Sequence, residues 1–204
     1  MALLPLVIAP DPRLKTRSET VTKIDDSIRK LAADMLDTMY HEKGIGLAAV
    51  QVGEMKRMLV ADVSWRDDGT PGKQYVIINP EIVEETSELH NYKEGCLSFP
   101  DQFADVSRPE GVRIRYMDLN GDTQEETFDG LLATCIQHEI DHLNGIVFVD
   151  HISSIKRDII MRKLKKMKKM GYFEPHVHGP DCNHGHDHDH EHEHAHVHGE
   201  HCNH

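Results

Sequence analysis

Past Gly171 the chain stops carrying the residues that build a core, and that break decides where a fold can lie. Residues 176–204 hold twelve of the seventeen histidines, six acidic residues and no Lys or Arg. Within them "VHGPDCNH" (177–184) is echoed by "VHGEHCNH" (197–204). A stretch this polar cannot offset its chain entropy by burying apolar surface, so residues 172–204 are expected to be a disordered tail. His-rich tracts bind divalent metals and thiols add softer ligands, so additional metal ions on this tail are expected too. One domain must therefore form within residues 1–171, a length that supports a single core.

Inside that length the periodicity is readable. Ile28, Leu31, Met35 and Met39 recur at helical spacing over 25–42, with Asp25 as N-cap and Gly44 as terminator. Segments 57–63 and 74–85 are rich in β-branched and apolar residues and read as strands around a polar loop. Segment 111–128 alternates around Asn120-Gly121, a two-residue hairpin signal. A second helix is predicted from an Asp129 N-cap to Gly145, with Leu131, Cys135, His138 and His142 along one face. A third, basic helix is predicted over 152–170, with Ile152, Ile155, Ile159, Leu164 and Met167 as its apolar stripe. Strands grouped between the first two helices make an α+β domain, not a βαβ repeat.

The formal charge is −12, and the body remains net acidic without the tail, which argues against a general nucleic-acid binder; no sequence-specific nucleic-acid partner is expected. Cys96, Cys135, Cys182 and Cys202 form no evenly spaced framework, so reduced thiols or metal ligands are expected rather than disulfides. No apolar run reaches the roughly 20 residues that span a bilayer, and the start has no basic leading region. A soluble, cytoplasmic protein is the expectation.

The chemistry concentrates in "QHEIDHLNG" (137–145), which holds an H-E-x-x-H pattern. On a helix His138 and His142 share a face, and Glu139 projects beside them. A catalytic metal site wants three ligands and an open position. One type of zinc protease would supply the third as a histidine six residues past His142, but His142 is followed by Leu-Asn-Gly-Ile-Val-Phe, so that version fails. Cys96 in "NYKEGCLSFP" is a better third ligand, although a buried structural cysteine is the plainer reading. A metal-handling protein with an incidental helix motif explains the tail and nothing of residues 1–170.

"GIGLAAVQ" (44–51), "EGCLS" (94–98) and "QHEIDHLNG" (137–145) together resemble the three ordered motifs of the bacterial peptide deformylases. The resemblance covers residues 1 to about 170 and implies antiparallel sheets packed around a central metal-binding helix, with N-terminal and C-terminal helices. It makes Cys96, His138 and His142 the metal ligands, with Fe2+ as the physiological ion and Zn2+, Ni2+ or Co2+ as substitutes. It makes Glu139 the general base toward a water whose pKa the cation lowers. The Gln51 side chain and the Leu97 N–H become the oxyanion donors. The implied substrate is the N-formyl-methionine end of a nascent polypeptide, releasing formate. Ile45, Gly46, Glu94 and Gly95 would line the peptide backbone, and Leu131 and Cys135 the methionine pocket, where plain core packing is an equal reading.

Two departures from the family pattern stand out. Phe103 occupies a place where relatives often carry arginine, and Thr134 one that is frequently aliphatic. Asp141 and Gln137 flank the histidines and are candidates to orient them, beside the plainer reading of Asp141 as a solvated position. With eight basic residues against one acidic in 153–170 the third helix reads on composition as a solvated basic face, and the resemblance implies that it docks on the ribosome. For the tail the sharper reading is a reservoir that helps load the active site.

Overall fold

The order of elements follows from where apolar residues can be buried on two faces at once. The computed structural model describes residues 2–65 and 70–173; the tail lies outside the described residues. Helix α1 (Asp26–His41) is followed by strands β1 (Gly46–Ala48), β2 (Met58–Ala61), β3 (Tyr75–Glu85), β4 (Leu89–Cys96), β5 (Phe99–Pro109), β6 (Gly111–Met117) and β7 (Thr123–Asp129). Helices α2 (Gly130–Leu143) and α3 (Ser154–Lys169) complete the described chain. An antiparallel five-stranded sheet runs β1-β2-β3-β6-β7, and β4 and β5 form a separate antiparallel pair.

Alternation along β2 explains the layering. Leu59 and Ala61 point to the cluster built on α2, with Ile136, Ile140 and Leu143. Met58 and Val60 point the other way, to Ile28, Met35 and Met39 of α1. Both faces of β2 are thus covered, and all four of its residues are fully buried. Each such large apolar side chain contributes about 1.5–3 kcal/mol by leaving water. A third cluster joins Ile160 and Leu164 of α3 to Phe99, Val106 and Phe148. The α+β architecture with a central helix agrees with expectation.

Several local expectations change. Asp25 does cap α1, accepting from Ser27 N at 3.0 Å and Ile28 N at 3.3 Å. The residue that turns left-handed after α1, however, is Lys43 (φ 56°), not Gly44. Lys43 N bonds Tyr40 O and Gly44 N bonds Met39 O, a paired closure of the helix end. Gly44 is needed for space, because a Cβ there would lie 2.8 Å from Leu97 Cδ1. Asp129 sits at the N-cap of α2 without a side-chain cap bond; the entry is made by Gly130 (φ 57°), whose N–H bonds Glu110 O.

Asn120-Gly121 does not make a two-residue turn. Strand pairing ends at Met117↔Thr123, and the Asp118 carboxylate collects Asn120 N and Asp122 N across the loop between them. On α3 the packed stripe is Ile160, Leu164 and Met167, whereas Ile155 and Ile159 are 73% and 54% exposed. Spacings of four and three keep 160, 164 and 167 on one face. The step of five from 159 to 164 leaves it. The β4–β5 pair shows no apolar strand pattern in the sequence, because half of β4 is exposed and two of the four residues β5 buries are Gln102 and Arg108.

Candidate active site

A bulge delivers the sulfur. The β4–β5 register pairs Gly95 with Phe103 and then jumps, pairing Cys96 with Phe99. Such a slip re-aims the side chain at the strand end. It brings Cys96 against α2, where His138 and His142 project from successive turns, and the donor atoms of the three lie within 4.8 Å of one another. Cys96 Sγ is 3.2 Å from His142 Nε2. His138 turns its Nδ1 to Glu94 Oε2 at 2.8 Å, which leaves Nε2 for the site.

The donor chemistry fits a divalent cation. Burial, reinforced by His138, holds His142 well below its ordinary pKa, so its imidazole is neutral and offers a lone pair. A thiolate with two imidazoles suits Zn2+ or Fe2+. Beside them Glu139 is buried, and its Oε2 has no partner among the described residues. Burial pushes its carboxyl up to about 7. An orphaned carboxylate oxygen beside three potential metal donors is free to accept a proton.

Gln51 is held as a donor. Its Oε1 accepts from Ala48 N at 2.7 Å, which fixes the amide so that Nε2 reaches Cys96 Sγ at 3.4 Å and Ser98 Oγ at 3.3 Å. Gly46 stands over the floor: a Cβ there would lie 2.6 Å from both Cys135 Sγ and Glu139 Oε1. These groups open into a cavity of about 540 Å³, whose lining includes the sequence-predicted site residues except His142 and the two candidate orienting residues Gln137 and Asp141. His142 is fully buried behind it.

Around the site the structure supplies residues that periodicity does not single out. Arg108, 5% exposed, donates from Nε to Glu94 Oε1 at 2.6 Å and from Nη1 to Asp141 Oδ2 at 2.7 Å. Burial alone raises the Glu94 pKa, but bonds from His138 and Arg108 outweigh it and hold the carboxylate ionised. Glu94 lines the cavity, yet its carboxylate is engaged by these two partners. Asp141 bonds Arg108 and His151 and neither ligand histidine, while Gln137 Nε2 bonds Pro109 O and Ala133 O. Phe103, 60% exposed, lies over Gly95, where a Cβ would meet its ring at 2.6 Å. Thr134 lines the cavity and returns its hydroxyl to Gly130 O.

Comparison with known proteins agrees with this geometry. The profile of the family described as polypeptide deformylase matches residues 3–158. The chain is 53% identical over 169 residues to a peptide deformylase of Mesorhizobium japonicum, covering 83% of this chain and 95% of that protein. It is 51% identical over 167 residues to one from Brucella suis, covering 82% and 94%. The crystal structure of peptide deformylase from Ehrlichia chaffeensis superposes with a TM-score of 0.78 at 44% identity, covering 84% of this chain and 99% of that one. Cys96, His138 and His142 fit the metal site of that family. With relatives half identical across nearly their whole length and a fold shared with a solved member, the chain belongs to the polypeptide deformylase family of hydrolases.

Proposed function

We propose that this chain removes the formyl group from N-formyl-methionine at the start of nascent polypeptides, with Glu139 as general base. The observation that carries the reading is the unpartnered, buried Glu139 oxygen beside the Cys96, His138 and His142 donors. A divalent ion held by those three supplies Lewis acidity and lowers the pKa of water; Fe2+ is the ion we assign, with Zn2+, Ni2+ or Co2+ as substitutes. Glu139 takes the proton from the attacking water. Gln51 Nε2 and the Leu97 N–H donate to the oxygen of the formyl carbonyl as charge develops on it. Glu139 then passes its proton to the amine nitrogen as the C–N bond breaks, and formate and a free amino terminus leave.

The substrate backbone has an open sheet edge to lie against. Strand β1 is the outermost strand of its sheet, and Ile45 and Gly46 line the cavity. An extended peptide adds to such an edge by main-chain bonds, with Gly95 on the facing wall. Leu131 and Cys135 border the space for the methionine side chain. We place the enzyme in the cytoplasm, where nascent chains emerge; no helix among the described residues is long and apolar enough to cross a membrane.

Metal removal tests this reading. A chelator is expected to abolish formate release and added Fe2+ to restore it. Full activity at well under one metal per chain would contradict it. Twelve histidines and two cysteines in residues 176–204 add donors, so the loaded full-length chain is expected to hold more than one equivalent.

We infer that α3 docks on the ribosome. All eight of its Lys and Arg residues are exposed, beside the exposed Ile155 and Ile159. Phosphate contacts make such binding salt-dependent, with log K falling by roughly 0.7–0.9 per contact per decade of salt. Replacing Lys163, Lys166 and Lys169 by Glu is expected to weaken ribosome binding at low salt and flatten that slope. Unchanged binding and slope would count against it.

A further inference from the structure

We propose that His151 is a positioning residue for the metal site, acting on His138 through three charged side chains, two of them buried. The proposal rests on reading Cys96, His138 and His142 as the metal ligands. The path is continuous. His151 Nε2 lies 2.7 Å from Asp141 Oδ2, and the same oxygen accepts from Arg108 Nη1 at 2.7 Å. Arg108 grips Glu94 with Nε at 2.6 Å and Nη2 at 3.1 Å, and Glu94 Oε2 is 2.8 Å from His138 Nδ1. Glu94 and Arg108 are each 5% exposed and Asp141 17%, whereas His151 is 34% exposed and forms the solvent end.

The chain has leverage because it is the polar hold on the ligand imidazoles. His142 Nδ1 is buried with no partner among the described residues, so Glu94 alone fixes a ligand ring by a bond to its other nitrogen. That bond sets the tautomer and orientation of His138 and the basicity of its Nε2. Asp141 Oδ2 is shared between Arg108 and His151, so deleting the His151 donor frees Asp141 to draw Arg108 away from Glu94. A second contact comes from the same turn: the 3₁₀ segment Phe148–His151 also stacks Phe148 on His138, with centroids 6.2 Å apart and planes at 24°. One short turn therefore holds His138 both through its ring and through its Nδ1.

The test uses the full chain loaded with Co2+, carrying Cys182→Ser and Cys202→Ser so that thiolate-to-cobalt absorption does not arise from the tail. His151→Phe keeps a ring and removes the donor; His151→Gln keeps an N–H. Direct outer-shell partners alter metal affinity about 10–100-fold, and a more remote member is expected to give roughly 3–10-fold. We expect His151→Phe to raise the Co2+ dissociation constant by that factor and to shift the ligand-field bands, with His151→Gln close to the parent. Lys15→Met, which removes one partner of Asp150 on the same turn, leaves its bond from Val147 N and does not touch the path, is expected to change neither quantity. An unchanged constant and spectrum in His151→Phe would overturn the proposal. So would equal changes in all three variants, which would mark simple loosening of the turn. Absence of any thiolate band in the parent would instead refute the ligand assignment on which the proposal rests.

Discussion

Glu139→Gln is expected to lower kcat by about 10²–10⁴-fold, the contribution of a well-placed general base, while metal content stays at the parent level. Glutamine keeps the volume and loses the proton acceptor, and none of the ligand atoms belongs to residue 139. The same change is expected to stabilise the metal-free protein. Burial raises the Glu139 carboxyl from its ordinary 4.5 to about 7, so the folded state holds a proton that the unfolded chain releases. Stability from this group is highest below pH 4.5 and is lost as pH rises toward about 7. Glutamine does not titrate, so its melting-temperature advantage should grow across that window and level off above it. An activity near the parent value, read as formate release at saturating substrate, would remove Glu139 from the mechanism.

Gly46→Ala is expected to cost about 10²-fold in kcat, because misplacing a reacting group by an ångström has an effect of that order. The new methyl would sit 2.6 Å from both Glu139 Oε1 and Cys135 Sγ, too close for both to stay in place. Overpacking of this kind also destabilises by about 1–3 kcal/mol. Adding Cys135→Ala clears one of the two collisions. It should recover stability while leaving most of the kinetic defect, since the clash with Glu139 remains. Recovery of both together would place the defect in packing and not at the Glu139 carboxylate.

The ligand helix was legible because its function and its periodicity coincide. His138 and His142 must share a face to hold one ion, and Ile136, Ile140 and Leu143 must face the core, so one helix carries both patterns. Four of the five strands of the larger sheet are legible, β2 and β3 from apolar and β-branched content and β6 and β7 from alternation around Asn120-Gly121, whereas the short β1 within the glycine-rich stretch is not. The β4–β5 pair was not. Its buried positions include Glu94, Gln102 and Arg108, whose burial is stabilised by charge pairing and hydrogen bonds and leaves no apolar alternation in the sequence. The cost of isolating a buried charge explains why Arg108 reaches both Glu94 and Asp141. No local pattern announces an arginine that closes a network between a strand and a helix. The Cys96 bulge is similarly silent, because register is a property of two strands together.

Spacing misled where it was read too generously. The predicted α3 stripe passes through Ile155 and Ile159, but Ile160 is the residue that meets the core, and the two others stand in solvent. Their exposure on a basic helix is what the docking proposal uses. The left-handed residue after α1 is a lysine, a position the sequence would assign to glycine, because backbone closure to Met39 and Tyr40 offsets the strain.

The central claim is that this site cleaves a formyl cap and not an internal peptide bond. The direct measurement incubates Fe2+-loaded protein with a formyl-Met peptide under anaerobic conditions and follows formate and peptide fragments in the same reaction. The account predicts stoichiometric formate, a free amino terminus and an otherwise intact peptide. Internal cleavage without formate would contradict it.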